Sequence, residues 1–368
     1  MEHLFTNNIT VILEKNFGND ALPIFERSEL LQYINQKTKS ANKGSKSRGS
    51  FANLYAIYVL IEDYLAKYFD ERGDYSSYAG AEYSKLLARQ RELPFGTKLQ
   101  NHALNSRMKE EFKKFFPSSK FEPILRDLNS NRYWINENLL KIEVNKQEFN
   151  ISKSIVEIID DYIASKQNAL QKFIAVCEEL QYIEQEKPEK IEEFILSLLA
   201  PNADARLFEI VSYAILKFYY KDKSIFWGFT SEPDKVFTEN LKLYKTGRTN
   251  ANDGGIDFVM KPLGRFFQVT ETLDFKKYFL DIDKIEKYPI TFVVKTNEST
   301  SILLEKIRTN ANKIYGIEAI VNTYMACIEE LINIPTLIDY FKKVQKQGNL
   351  HQILNEIIVQ SKVEFNYN

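Results

Sequence analysis

Cysteine is almost missing from this chain: Cys177 and Cys327 are the only two in 368 residues. Two such residues cannot build a zinc site alone, and each lies in apolar, helix-like sequence, so both are expected as buried free thiols. Histidine is as scarce (His3, His102 and His351), which excludes a histidine-rich metal centre. No apolar run approaches the ~20 residues that span a bilayer, so no membrane partner is expected. The opening residues, MEHLFTNNITVILEKNFGND, are broken by polar and acidic side chains. They do not read as a signal peptide, and a cytoplasmic protein is expected. A net charge of −1 argues against a chain that coats nucleic acid indiscriminately. There is no internal repeat and no low-complexity tract longer than the basic loop near Lys43.

Aromatic residues, by contrast, are abundant: 21 Tyr and 26 Phe suggest large, well-filled cores. The length points to two domains, placed at residues 1–200 and 201–368. Charge is unevenly spread along them. Lys37–Arg48, which includes Lys43, Lys46 and Arg48, carries five cations and no acid, and Lys85–Arg126 carries ten cations against four acids. Glu178–Glu193 is an acidic divider with seven glutamates and two lysines. The first half therefore offers candidate phosphate-contacting surfaces.

That half reads as mostly helical from about residue 50 to 180. Phe51–Lys67 is apolar on most faces and predicts a central buried helix, with Ser50 as its N-cap. Arg89–Arg107 is punctuated by Pro94 and Gly96, then turns polar with Gln100, Asn101, His102, Asn105 and Arg107. Asn, Gln and Arg suit bidentate contacts with base edges; a solvated loop and helix start is the plain alternative. Helices over Ser154–Glu184 and Pro188–Leu199 close this half.

After Pro201 the pattern changes. Ala205–Tyr220 predicts an amphipathic helix capped by Asp204. Strands are expected at Ser224–Phe229, Ile256–Met260, Arg265–Thr270 and Ile290–Lys295, with a helix over Asp274–Lys287. Further helices follow, including Ile314–Leu331 and Pro335–Lys346. Helix, strands, helix, strand is the order of a mixed α/β (α+β) fold: a helical N-terminal region followed by a mixed β-sheet core flanked by helices.

The chemistry concentrates in Gly247–Glu271, GRTNANDGGIDFVMKPLGRFFQVTE. Asp257 leads an apolar strand directly after Gly254-Gly255, whose missing side chains allow an open turn and close approach of a nucleic-acid backbone. Aspartate is depleted in strands, so one in this place invites explanation. The turn Met260–Arg265 has the length to lay the next strand beside it and bring Gln268 to the same end of the sheet. Alternation puts Phe266, Gln268 and Thr270 on one face. Glu209, among Phe208, Ile210 and Val211, offers another carboxylate, or is an exposed residue beside the apolar stripe. Oxygen donors of this kind suit Mg²⁺, which neutralises charge and acidifies a water in phosphodiester hydrolysis. Arg248, Asn250 and Asn252, just before the site, would grip phosphates or reach into a groove, or form an ordinary polar loop.

These residues resemble the PD-(D/E)xK nuclease superfamily, particularly its Mrr-like and type II restriction endonuclease branches. In that family a helix-borne glutamate, a Gly-Gly-x-Asp strand and a Gln-x-Lys strand build one metal site. The resemblance, over roughly residues 205–295, implies a restriction-endonuclease-like core with Glu209, Asp257 and Gln268 as metal ligands. The helical first half would be the variable recognition region. Where the family has lysine, this chain has Thr270. A replacement cation is sought in Lys276 or Lys277, or in Lys261 or Arg265; a bulge turning Glu271 inward would instead add a carboxylate. The resemblance implies a bacterial, Mg²⁺-dependent, sequence-specific endonuclease acting on double-stranded DNA. Such an enzyme would be a homodimer and would work beside a cognate DNA methyltransferase. A methyl- or structure-directed relative, or a non-catalytic DNA-binding protein, is the alternative.

Overall fold

A computed structural model describes residues 2–39, 47–97, 99–183, 187–229, 231, 234–246, 256–270 and 275–365. The chain divides into two compact units, residues 1–173 and 174–368.

The first unit is led by helices α1 (Thr6–Phe17), α2 (Ala21–Arg27), α3 (Glu29–Thr38) and α4 (Ser47–Ala66). A short α5 (Phe69–Arg72), β1 (Ala81–Glu82) and α6 (Tyr83–Glu92) follow, and a π-helical turn, Ala103–Arg107, runs into α7 (Met108–Phe115). Then come β2 (Ile124–Asp127), β3 (Arg132–Ile135), β4 (Lys141–Val144), β5 (Gln147–Asn150) and the long α8 (Ser152–Tyr182). As expected from its all-round apolar sequence, α4 is central: Leu54 to Ile61 are buried without a break. It begins before Phe51, so Ser50 lies within the helix, buried, and is not its N-cap. Two small antiparallel sheets, β1-β3-β2 and β4-β5, lie in a stretch expected to be helical.

The division at residue 173 falls inside α8, earlier than the boundary expected at 200. The physical reason is packing. After Ile174, Lys362 lies 2.9 Å from Glu178, and Gln345 donates to Glu192 at 2.7 Å. The acidic stretch is therefore tied to the C-terminal helices.

The second unit continues with α9 (Pro188–Leu198), α10 (Ala205–Tyr220), β6 (Ser224–Gly228), β7 (Val236–Asn240), β8 (Lys242–Lys245), β9 (Phe258–Lys261) and β10 (Arg265–Thr270). Next are α11 (Phe275–Lys284), β11 (Ile290–Val294), α12 (Thr300–Tyr315), α13 (Glu318–Ala326), β12 (Ile328–Ile332), α14 (Ile334–Lys346) and α15 (Leu350–Phe365). The helix expected over Ile314–Leu331 is thus the end of α12, then α13, then a strand. Gly316, at φ 64°, ends α12 in the left-handed conformation that suits glycine.

Five strands form the main sheet in chain order, β8-β9-β10-β11-β12. β9 runs antiparallel to both neighbours, while β10, β11 and β12 are parallel. The fold is therefore mixed α and β, as the sequence predicts. One face of the sheet lies under α10, where Tyr213 meets Phe258 and Tyr220 meets Phe267. On the other face Phe292 meets Tyr278 of α11, within a core that also takes in α12 and α13. All of Ile290–Val294 is buried, as expected of a strand covered on both faces. Both cysteines are buried free thiols. No helix among the described residues is long and apolar enough to cross a membrane.

Candidate active site

Helix α10 begins at a strong cap: Asp204 accepts hydrogen bonds from the backbone N–H groups of Arg206 and Leu207, at 2.7 and 3.1 Å. The helix is covered almost all round, and the covering includes Glu209. The residue is buried, so an exposed position beside the apolar stripe is ruled out. A buried carboxylate needs compensation, and Glu209 has two cations. Its Oε1 lies 3.0 Å from Lys245 Nζ on β8, and its Oε2 accepts from Arg206 one turn earlier on α10. Arg206 in turn reaches Glu364 of α15 at 3.0 Å.

Asp257 stands just before β9 and is pinned by its backbone to both neighbouring strands. Its N–H donates to Phe267 O at 3.0 Å, and its carbonyl accepts from Thr246 N at 2.9 Å. Its side-chain Oδ2 accepts from Val269 N at 2.7 Å. These bonds engage β10 on both sides of Gln268. Burial, reinforced by the negative charge of Glu209, pushes the Asp257 carboxyl up to about 7; the Val269 N–H, Arg206 and Lys277 pull the other way. Two carboxylates from separate elements thus share one neighbourhood.

Gln268 is buried, and its Oε1 has no hydrogen-bond partner among the described residues. Its direction follows from alternation along β10. Phe267 faces Tyr220 of α10, so Gln268 points to the opposite face, as does its parallel partner Phe292, which packs on Tyr278. The structure therefore brings Asp257 and Glu209 together, and sends Gln268 out on the α11 side of the same strand end. Thr270 is buried on that side too.

Of the cations considered for the missing lysine, Lys276 is exposed on α11, and Lys277 is the one whose charge bears on Asp257. Lys261 is exposed at the other end of β9. Arg265 is held at the start of β10 by Thr291, Glu329 and Glu330. Lys295, beside Thr270 on the parallel ladder, donates its ammonium to Ala203 O. Lys245 was legible only to a reader who had assigned β8: Leu243 faces the core, and the residue two further on shares its face. Arg206 sits three residues before Glu209, the helical spacing of an ion pair.

In the first unit, Gln100, Asn101 and Arg107 are exposed at the π-helical turn, a backbone form frequent at functional sites. Asn105 is otherwise employed: its carbonyl accepts from Arg126 at 2.7 Å and its Oδ1 from Tyr133 at 3.0 Å. Lys43, Lys46, Arg248, Asn250, Asn252, Gly254, Gly255 and Glu271 lie outside the described residues, as does the side chain of Arg48.

Among the described residues, no group of three or more His, Cys, Asp or Glu side chains is placed to hold a metal ion. The oxygen donors that come together are the carboxylate pair, without the amide of Gln268. They suit a hard cation such as Mg²⁺, which takes one or two carboxylates and keeps several waters. Burial first, and the charge of Glu209 second, hold the Asp257 carboxyl up. Set against family models, curated proteins and solved structures, the chain matches none.

Proposed function

We propose that this chain is a Mg²⁺-dependent endonuclease of the PD-(D/E)xK type, cutting double-stranded DNA as a type II restriction endonuclease. The observation that carries the reading is that the charge of Glu209, on α10, bears on Asp257, just before β9: two buried carboxylates from separate elements in one neighbourhood. They meet at the carboxyl ends of β8 and β10, where open sheets of this kind build their sites.

Asp257 and Glu209 would hold the ion. Bound Mg²⁺ would supply Lewis-acid stabilisation of phosphoryl charge and an acidified water. Lys245 and Arg206 pair with Glu209, and Lys277 adds positive charge near Asp257, where a phosphate would sit. Exposed Gln100, Asn101 and Arg107 are the recognition candidates of the first unit. A homodimer fits a short palindromic target. Work in the bacterial cytoplasm beside a cognate methyltransferase belongs to the same proposal.

One observation favours a second reading. Both Glu209 oxygens already have cationic partners, and Thr270 stands where the family has lysine. A DNA-binding protein of the same type that no longer cuts, or one directed by methylation or DNA structure, would tolerate both.

The test is incubation of phage-length double-stranded DNA with the wild-type protein and with Asp257→Ala, in Mg²⁺ and in EDTA. Discrete Mg²⁺-dependent fragments from the wild type alone are expected. Cleavage retained by Asp257→Ala would remove Asp257 from the site. Intact DNA throughout, with salt-sensitive binding, would select the non-cleaving reading.

A further inference from the structure

Helix α10 ends in a pair of tyrosines that meet α14, and lysines gather around them. Tyr219 stacks on Tyr340, with ring centroids 3.8 Å apart and planes 10° from parallel. Lys223 Nζ lies 3.7 Å from the Tyr219 centroid and 4.7 Å from that of Tyr220. So short a distance puts the ammonium above the Tyr219 ring; Tyr340 fills the other face, and both faces are covered. Lys343 Nζ stands 5.9 and 5.7 Å from the centroids of Tyr219 and Tyr340. Lys221 Nζ donates to the side-chain carbonyls of Asn349 and Gln352, at 2.6 and 3.1 Å. Elsewhere in this unit lysines are neutralised, as Lys217 is by Glu356 at 2.8 Å and Lys306 by Glu298 at 2.5 Å. Lys221, Lys223 and Lys343 face amides and rings instead, and none has an acidic partner among the described residues. Glu329 and Glu330, close by, are both taken by Arg265. With Lys342 and Lys346, the two helix ends carry five lysines against Asp222 and Asp339.

We infer that these lysines, at the ends of α10 and α14, bind the phosphate backbone of double-stranded DNA outside the candidate active site. Charge selects a polyanion: the ammonium groups are held in place over rings and amides, yet nothing acidic compensates them. The covered rings select phosphates over bases. A single strand is gripped by stacking its bases on open aromatic faces, and Tyr219 has neither face open. The cations are spread over two helix ends, which suits a row of phosphates rather than one ion. Lysine is depleted in protein–protein interfaces, whereas a DNA backbone is met chiefly by Lys and Arg. Tyr219 follows Glu209 by ten residues, roughly 15 Å along α10. Contacts here therefore act on affinity and not on the cut. The choice of DNA among polyanions rests on the nuclease reading; the uncompensated charge does not.

Fluorescence anisotropy of a labelled duplex of arbitrary sequence tests it on the intact protein, in EDTA so that nothing is cut, over a salt series. Log affinity of the wild type should fall linearly with log salt. Lys223→Gln and Lys343→Gln should each lower that slope by about 0.9 and weaken binding about eightfold at roughly 0.1 M salt, the loss of one phosphate contact. Lys223→Arg keeps the charge and should keep the slope. Lys306→Gln, which removes a lysine already paired with Glu298, should change neither quantity. Thermal melts establish that each variant folds. Affinity and slope unmoved in both Gln variants would overturn this surface, and a wild type that still cuts DNA in Mg²⁺ would leave the nuclease reading standing. The expected losses in a wild type that never cuts would uphold the surface and sink the nuclease. Labelled polyglutamate bound as tightly as the duplex, with the same losses, would reassign the surface to an acidic protein and overturn the proposal. So would inorganic phosphate that displaces the duplex beyond its effect as salt, since that means a single-ion site.

Discussion

Asp257 couples the candidate site to solution pH. Its carboxyl titrates near 7 in the folded chain, against about 3.9 when unfolded. A raised acid of this kind contributes stability that is fully present below the unfolded value and is lost as pH rises through the folded one. Asp257→Asn, which is neutral throughout, should therefore melt higher than the wild type at about pH 8 and show a much smaller gain near pH 4. Thermal melts across that range check it; a variant with no gain at the upper end would mean that the site does not hold Asp257 in its neutral form. At this scale the sequence is unevenly legible. Asp257 and Glu209 stood out because a carboxylate in an apolar run demands a reason. Lys245 did not, because a lysine close to the chemistry in space looks like any surface lysine until its strand is known. Asn105 looked like a base reader, yet Tyr133 and Arg126 occupy it, and neither contact leaves a trace in local sequence.

Elements with a strong local signal emerged as expected. α10 spans Ala205–Tyr220 with Asp204 as its cap, and β10 spans Arg265–Thr270. The cap matters beyond its helix, since it fixes the turn that carries Arg206 and Glu209. Asp204→Ala should lower stability by about 1 kcal/mol, the usual cost of losing a capping carboxylate, as read by urea denaturation. An unchanged midpoint would show that packing alone sets the helix start. Elements that went unread are short strands whose identity depends on partners. β8 is four residues whose alternation is visible only beside β9. β12, IEELI, continues the apolar spacing of the preceding helix and becomes a strand because β11 offers it an edge. β6 was legible in its aromatic run, but its partner β7, VFTEN, was not.

At the scale of the molecule, length points to two units and the order of elements to a mixed fold, but the division falls earlier than residue 200 because α9 and the end of α8 are claimed by the C-terminal helices. The residue 174–368 segment has its own core under both faces of its sheet, so it should fold alone with a cooperative thermal transition. Loss of that transition on separation would mean that its core depends on the first 173 residues. The main sheet lists its strands in the order in which they occur along the chain. That arrangement has a kinetic consequence. β8, β9 and β10 can close before the parallel strands exist, and β11 and β12 then each add to an edge already in place, β11 across one helix, α11, and β12 across two, α12 and α13. Loop closure is least costly when contacts are near in sequence. The sheet that holds Asp257 can thus grow in the direction of synthesis, with the strand pair around the carboxylate among its earliest parts.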